Sequence, residues 1–458
     1  MASMLNVNAN ENADASNGLE MNDVQTLPTL TPSRGLLPAM YGSAALAGVS
    51  LAIFGCLMTW VTADLSLSRG QAGFVQTGFF MGHMLGALTM GQLLGRWSRK
   101  WCWLMSAVAT MVGSALTGTP MFSTLLAGRF VSGFGLSSGI LMISAVIVDL
   151  WPHRQSMCLN LMHATVAGAA ALTLAVGRPL AEALGDWRVV FWLVGLIATA
   201  PVFAATLLHV PRREPLAVTR ETRGPAAGDS KVRRDRDRTR KPSALRAAFS
   251  HPAVLVVMPA VIAYVAAEQA ITVFLPALAE EGLQLNASTS AGLAAMLWIG
   301  VITGRVLSAT LGARSSDSAQ VIVGAVIMSA AMFGAVMARE PVALGAMVFF
   351  AGLGGGPIVP LSFSMVARRV TENRGAALSA CQISCCAGGM MGPFFAGAAG
   401  DVIGLSVALL VLYALLPPAV LPLTRTARLR QRITNVQKVR QQRAFARATA
   451  QAQLAEAA

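Results

Sequence analysis

Charge is scarce in this sequence. Only 12% of its 458 residues are Asp, Glu, Lys or Arg, about half the share found in soluble domains. That shortage excludes a water-exposed surface over most of the chain, and a mean hydropathy of +0.59 points the same way. No Gly-x-x-x-x-Gly-Lys-Ser/Thr stretch occurs, so ATP hydrolysis at such a loop is excluded. The six cysteines, Cys56, Cys102, Cys158, Cys381, Cys385 and Cys386, lie in or beside apolar runs with no Cys-x-x-Cys spacing. They read as small packing residues rather than zinc ligands. No metal and no cofactor is expected.

Apolar residues are abundant, at 55%. They fall into twelve runs, at 36–61, 72–94, 102–119, 122–148, 156–181, 189–210, 253–279, 289–311, 319–338, 342–366, 375–399 and 403–423. Each approaches the roughly 20 residues that a helix needs to cross ~30 Å of hydrocarbon. In lipid only helices and closed barrels satisfy every backbone group, and these runs lack the alternation of barrel strands. The fold class is therefore an all-α membrane protein. The first run follows a polar stretch and is too long for the apolar region of a secretory signal, so no cleavage is expected.

The runs divide six and six. Residues 1–35 read as a disordered tail, 36–210 as a first six-helix bundle, 211–252 as a basic linker, 253–424 as a second bundle and 425–458 as a basic tail. The linker holds Lys231, Arg233, Arg234, Arg236, Arg238, Arg240 and Lys241 and is too charged to build a core. Net charge is +14. With loops on alternate sides, Arg69, Arg178, Arg188 and Arg339 fall on one side and Arg129 and Arg305 within runs, leaving the other basic residues beside the termini. This asymmetry places both termini in the cytoplasm, in a cytoplasmic (inner) membrane, and explains the basicity without a nucleic-acid partner.

Landmarks recur between the halves. Gly91 and Gly95 correspond to Ser308 and Gly312, Gly133 and Gly135 to Gly352 and Gly354, and Pro179 with Gly185-Asp186 to Pro393 with Gly400-Asp401. The offsets are 214 to 219 residues. Because six is even, both halves enter from the same side, and the repeats are parallel about an axis along the membrane normal. Solute is expected between them.

The segment Gly91-Gln92-Leu93-Leu94-Gly95-Arg96-Trp97-Ser98-Arg99-Lys100 resembles the Gly-x-x-x-Asp-Arg-x-Gly-Arg-Lys loop of the major facilitator superfamily. Gly91, Arg96, Arg99 and Lys100 fit; Gly95 stands where the pattern has Asp, and Ser98 where it has Gly. Arg129, Gly133 and Gly135 resemble that family's Arg-x-x-x-Gly-x-Gly element. Gly177 and Pro179 look like a weakened exporter element, while Asn160-Leu161-Met162-His163 is similar to sequences in sugar permeases, so direction stays open. The resemblance implies two parallel six-helix bundles and a secondary transporter, with Gly91, Arg96, Arg99 and Lys100 at an inner gate; Arg305, in the inner third of the eighth run, reads as snorkelling or as stabilising that gate. Gly352, Gly354 and Pro357, with Pro360 one turn on, offer bending or close packing to the tenth run.

Ionisable residues inside a bilayer mark function. Arg129 and Glu268 fall at similar depth and are expected to pair across the cavity or meet solute and proton; His83 and His163 are further coupling candidates. The expected cargo is a small polar or anionic organic solute moved by alternating access with protons. A proton-driven exporter of a drug or metabolite is the alternative within the class. A sensor on a transporter scaffold, signalling through the last tail with its Leu429, Ile433 and Val436 face, is the alternative outside it. Gly135-Leu136-Ser137-Ser138-Gly139 matches a hydrolase elbow but lies inside one apolar run, so an enzyme is not expected. Solute, protons and membrane lipid are the expected partners, nucleic acid is not, and the chain reads as a monomer.

Overall fold

A computed structural model describes residues 35–94, 96–151, 154–210, 244–311, 315–370 and 374–424. The tails, most of the linker, Gly95 and Gly312 lie outside the described residues. The main helices are α1 (Leu36–Asp64), α2 (Arg69–Leu93), α3 (Arg99–Thr117), α4 (Phe122–Leu150), α5 (Gln155–Leu184), α6 (Trp187–Leu207), α7 (Pro252–Leu283), α8 (Ala287–Leu311), α9 (Asp317–Met337), α10 (Pro341–Arg369), α11 (Arg374–Ile403) and α12 (Leu405–Thr424). Ten are long and apolar enough to cross a membrane; α2 and α3 are not among the ten. Both flank α4. A short helix, Ala244–Phe249, occupies the end of the segment expected as linker.

The pairing of helices repeats when six is added to each number. In the first half α2 and α3 pack on α4, α1 on α5 and α3 on α6; in the second α8 and α9 pack on α10, α7 on α11 and α9 on α12. Between halves α2 meets α11, α5 meets α8 and α1 meets α7, a set that maps onto itself under the same exchange. This is the parallel repeat.

Glycines make the repeat possible at atomic scale. A Cβ on Gly133 would strike the Phe79 carbonyl of α2, and one on Gly352 would strike the Leu297 carbonyl of α8. One on Gly135 would stand 2.6 Å from the Thr110 nitrogen of α3, and one on Gly354 2.5 Å from the Gly324 oxygen of α9. Close backbone approach substitutes in lipid for the hydrophobic drive that helices have in water.

Each half also carries one ion pair at matching places with its signs inverted. Arg99 at the start of α3 pairs with Asp149 at the end of α4, and Asp317 at the start of α9 pairs with Arg368 at the end of α10. Asp317 and Arg368 suit the dipoles of their helices; Arg99 and Asp149 oppose them. Reversing either residue of the first pair alone is therefore expected to lower the melting temperature in detergent. The double exchange Arg99→Asp with Asp149→Arg is expected to restore it to the parental value or above.

Candidate functional site

The two described ends, Gly35 and Thr424, share one face of the molecule, called here the terminal face; the opposite face is distal. Among the described residues, the polar contacts that join the halves gather toward the distal face. Asp401, closing α11, accepts the backbone N–H groups of Arg69 (3.0 Å) and Gly70 (2.8 Å) at the start of α2. Its carboxylate so satisfies helix donors that have no intrahelical partner. Arg69 reaches Glu281 of α7 at 2.5 Å and the Gly400 carbonyl at 3.1 Å.

The exchanged corner repeats the scheme. Glu182, ending α5, accepts the Ser288 hydroxyl at 2.5 Å near the start of α8 and is held by Arg178 at 2.9 Å. Thr59 of α1 donates to Glu280 of α7 at 3.1 Å and accepts from Arg178 at 3.3 Å. Ser288 thus ties the start of α8 to the end of α5.

The α2–α11 seam shows the consequence. Toward the distal face, a Cβ on Gly73 would collide with the Pro393 carbonyl and one on Gly397 with the Arg69 carbonyl, and Thr77 donates to the Met390 carbonyl at 2.8 Å. Toward the terminal face, Gly91 and Gly375 have nothing within 4 Å of the same construction. The halves thus touch closely along this seam toward the distal face.

Between them lies Glu268, 7% exposed. Tyr264, one turn earlier on α7, donates to it, and Gln269 stands 3.4 Å away. Tyr413 of α12 donates to the Ala267 carbonyl at 2.9 Å. Two of the chain's three tyrosines therefore converge on this carboxyl, and that scarcity is the signal that singles them out. Arg305 of α8 lies within electrostatic reach of Glu268, of Tyr264 and of His163 on α5. His163 is exposed. A carboxyl of one half and an imidazole of the other thus lie within electrostatic reach of the same guanidinium.

Arg129 is elsewhere. It donates to the Ser50 carbonyl (2.8 Å) and to Gln76 (2.9 Å), with its guanidinium 4.2 Å from the Phe79 ring centre. It is 1% exposed. The expected pairing with Glu268 is not formed, because Arg129 projects from α4 onto α1 and α2 inside its own half. His83 stacks on Phe80 at 6.0 Å, and its Nδ1 has no protein partner.

At the expected inner gate, Arg99 is tied to Asp149, Lys100 donates to the Thr206 carbonyl at 2.7 Å and Arg96 is exposed. Pro179 and Pro393 lie inside α5 and α11, which run on past them, whereas α10 breaks around Pro357. A groove of about 740 Å³ between α7, α11 and α12 is lined by residues such as Met258, Ile262, Phe395 and Val411 and holds no ionisable group. It faces away from this chemistry. Among the described residues no His, Cys, Asp or Glu cluster could hold a metal ion.

The fold is thus two repeated helical halves, with a buried carboxyl on α7 and a half-buried guanidinium on α8. The chain belongs to the Major Facilitator Superfamily, whose model matches residues 40–393, and its ten long apolar helices make it a multi-pass membrane protein. It is 27% identical over 162 residues to Protein spinster of Drosophila melanogaster, covering 34% of this chain and 26% of that one. It is 30% identical over 195 residues to a putative metabolite transport protein of Haemophilus influenzae, covering 40% and 45%. The matches thus span less than half the length of these curated relatives. Its fold resembles the crystal structure of a bacterial homolog of the human lysosomal transporter Spinster in an inward-facing, unoccupied conformation, with TM-score 0.68 and 14% identity over 86% of this chain and 96% of that one. The D-xylose-proton symporter structure gives 0.65 and 14% over 85% and 96%.

Proposed function

We propose that this chain moves a small polar or anionic organic solute across the cytoplasmic membrane by alternating access, coupled to protons, as a monomer with both termini in the cytoplasm. The observation that carries the reading is the placement of Glu268 in an apolar interior with Arg305 in electrostatic reach, and of His163 within reach of that same arginine. A lone carboxyl there is costly unless its charge is used, and Glu268 has tyrosine and glutamine rather than a fixed basic side chain as hydrogen-bond partners. The ionised carboxylate and the solute then compete for one cation, and protonation of the carboxyl releases that cation to the solute. Arg129, with its Nε and the Gln76 Nε2 lacking protein acceptors, adds donors that suit an oxygen-bearing solute when the halves rearrange. Positive charge on the terminal side makes the terminal face cytoplasmic, and the present arrangement the one open to the cytoplasm. The family relationship to a D-xylose-proton symporter structure supports coupling in kind, not in cargo.

The test is solute-dependent proton movement. Purified protein in liposomes loaded with a pH dye is exposed in turn to a panel of sugars, monocarboxylates, dicarboxylates and aromatic acids. At least one is expected to change internal pH at several times the rate of empty liposomes. Solute flux that proceeds with no accompanying proton movement, under either gradient direction, would falsify the coupling.

A further inference from the structure

The tenth helix is broken where its counterpart α4 is whole. Its α-helical segments are Pro341–Gly355 and Ile358–Arg369, whereas α4 runs without interruption from Phe122 to Leu150. Sequence explains the difference. Pro360 has no N–H, so the Gly356 carbonyl four residues earlier loses its helical donor, and Pro357 does the same to Leu353. Residues 122–150 contain no proline.

The orphaned carbonyls are met by α8. Arg305 donates from Nε to the Gly356 oxygen at 3.3 Å. One turn of α8 packs so closely that a Cβ on Gly304 would strike the Leu353 carbonyl. Arg305 is thereby held at the break by one nitrogen while its charge remains within electrostatic reach of Glu268 and Tyr264 on α7 and His163 on α5. Glu268 is faced in turn by Gln269 of α7, Tyr413 of α12 and Cys385 of α11. Arg305 is the cation common to the break and to the carboxyl.

We propose that Arg305 is a positioning residue that links the charge on Glu268 to the angle of α10 at Gly356. This inference rests on Glu268 being the coupling group. With Glu268 neutral, Arg305 stays on the Gly356 oxygen and the terminal arm of α10 keeps its present, open position. With Glu268 ionised and no solute bound, the guanidinium turns toward the carboxylate, the Gly356 carbonyl loses its donor and the arm swings about the break. The Arg368–Asp317 pair carries α9 with it.

The experiment measures distances between spin labels on unnatural amino acids at Gln92 and Arg369, exposed positions on the two halves of the terminal face, in nanodiscs at pH 5.5 and 8.5. The parent is expected to show a pH-dependent change in the populations of two distances. Pro360→Ala, which returns a helical N–H to the Gly356 carbonyl, and Arg305→Lys, which keeps the charge but loses the Nε donor, are each expected to reduce that change at least fivefold. Glu268→Gln is expected to abolish it. If Glu268→Gln abolishes the change while Pro360→Ala and Arg305→Lys retain it in full, the link to α10 is wrong and Glu268 keeps its role. If Glu268→Gln retains it, the coupling reading itself fails and the link falls with it.

Discussion

Replacing Glu268 with glutamine is expected to abolish accumulation of solute against its gradient while leaving exchange of solute down or across equal gradients in place. The substitution keeps the shape and the acceptor for Tyr264, so packing around α7 is preserved. It removes the proton that can be lost. A carrier that cannot change charge at this position still rocks between its two arrangements, but a pH gradient no longer biases one of them. In liposomes the accumulation ratio under an imposed pH gradient is expected to fall at least tenfold, with counterflow reduced less than threefold. Undiminished uphill transport by the variant would remove Glu268 from the coupling path. Loss of counterflow as well would mean that the carboxyl serves solute binding instead.

The second large effect is expected at Gly73. Its place in the distal seam leaves no room for a side chain against the Pro393 carbonyl, and neither partner is a flexible side-chain end that can step aside. Gly73→Trp forces α2 and α11 apart at that end. Overpacking costs of about 1–3 kcal/mol multiply the ratio of two conformers by roughly 5 to 150. That suffices to make a minor distal-open state the major one, provided the two lie within a few kcal/mol. Spin labels at Gln71 and Val402, exposed positions on either side of this seam, are expected to show the longer distance as the main population. Gly91→Trp supplies the contrast: it enters open space, leaves the distal distance unchanged and obstructs closure of the terminal face. An unaltered distance in folded Gly73→Trp protein would mean that the seam does not act as the distal gate.

The spanning helices were legible because apolar length is a direct imprint of bilayer thickness. Their ends were less so. Arg69 opens α2, ahead of the run expected to begin at residue 72. A helix that is capped or latched by the opposite half continues beyond the hydrocarbon. The central chemistry was half legible. Glu268 stood out as an acid in an apolar run, and position along a helix put it at the expected depth of Arg129. Depth is not direction, however. Arg129 points into its own half, and the cation near Glu268 is Arg305, whose neighbours depend on how α8 lies against α7 and α10. The glycines of α10 were open to two readings, and both hold at different residues: Gly352 and Gly354 are packing positions, while Gly356 sits at the break.

The inverted ion pairs have a further consequence. A twofold operation brings each position opposite its own counterpart, so an unaltered duplication would set Arg99 against a second arginine and Asp149 against a second aspartate. Here Asp149 has Arg368 as its counterpart and Arg99 has Asp317. Each bridge is neutral in itself, so the repeat keeps an ion pair at this place in both halves while the helices that carry the acid and the base change over.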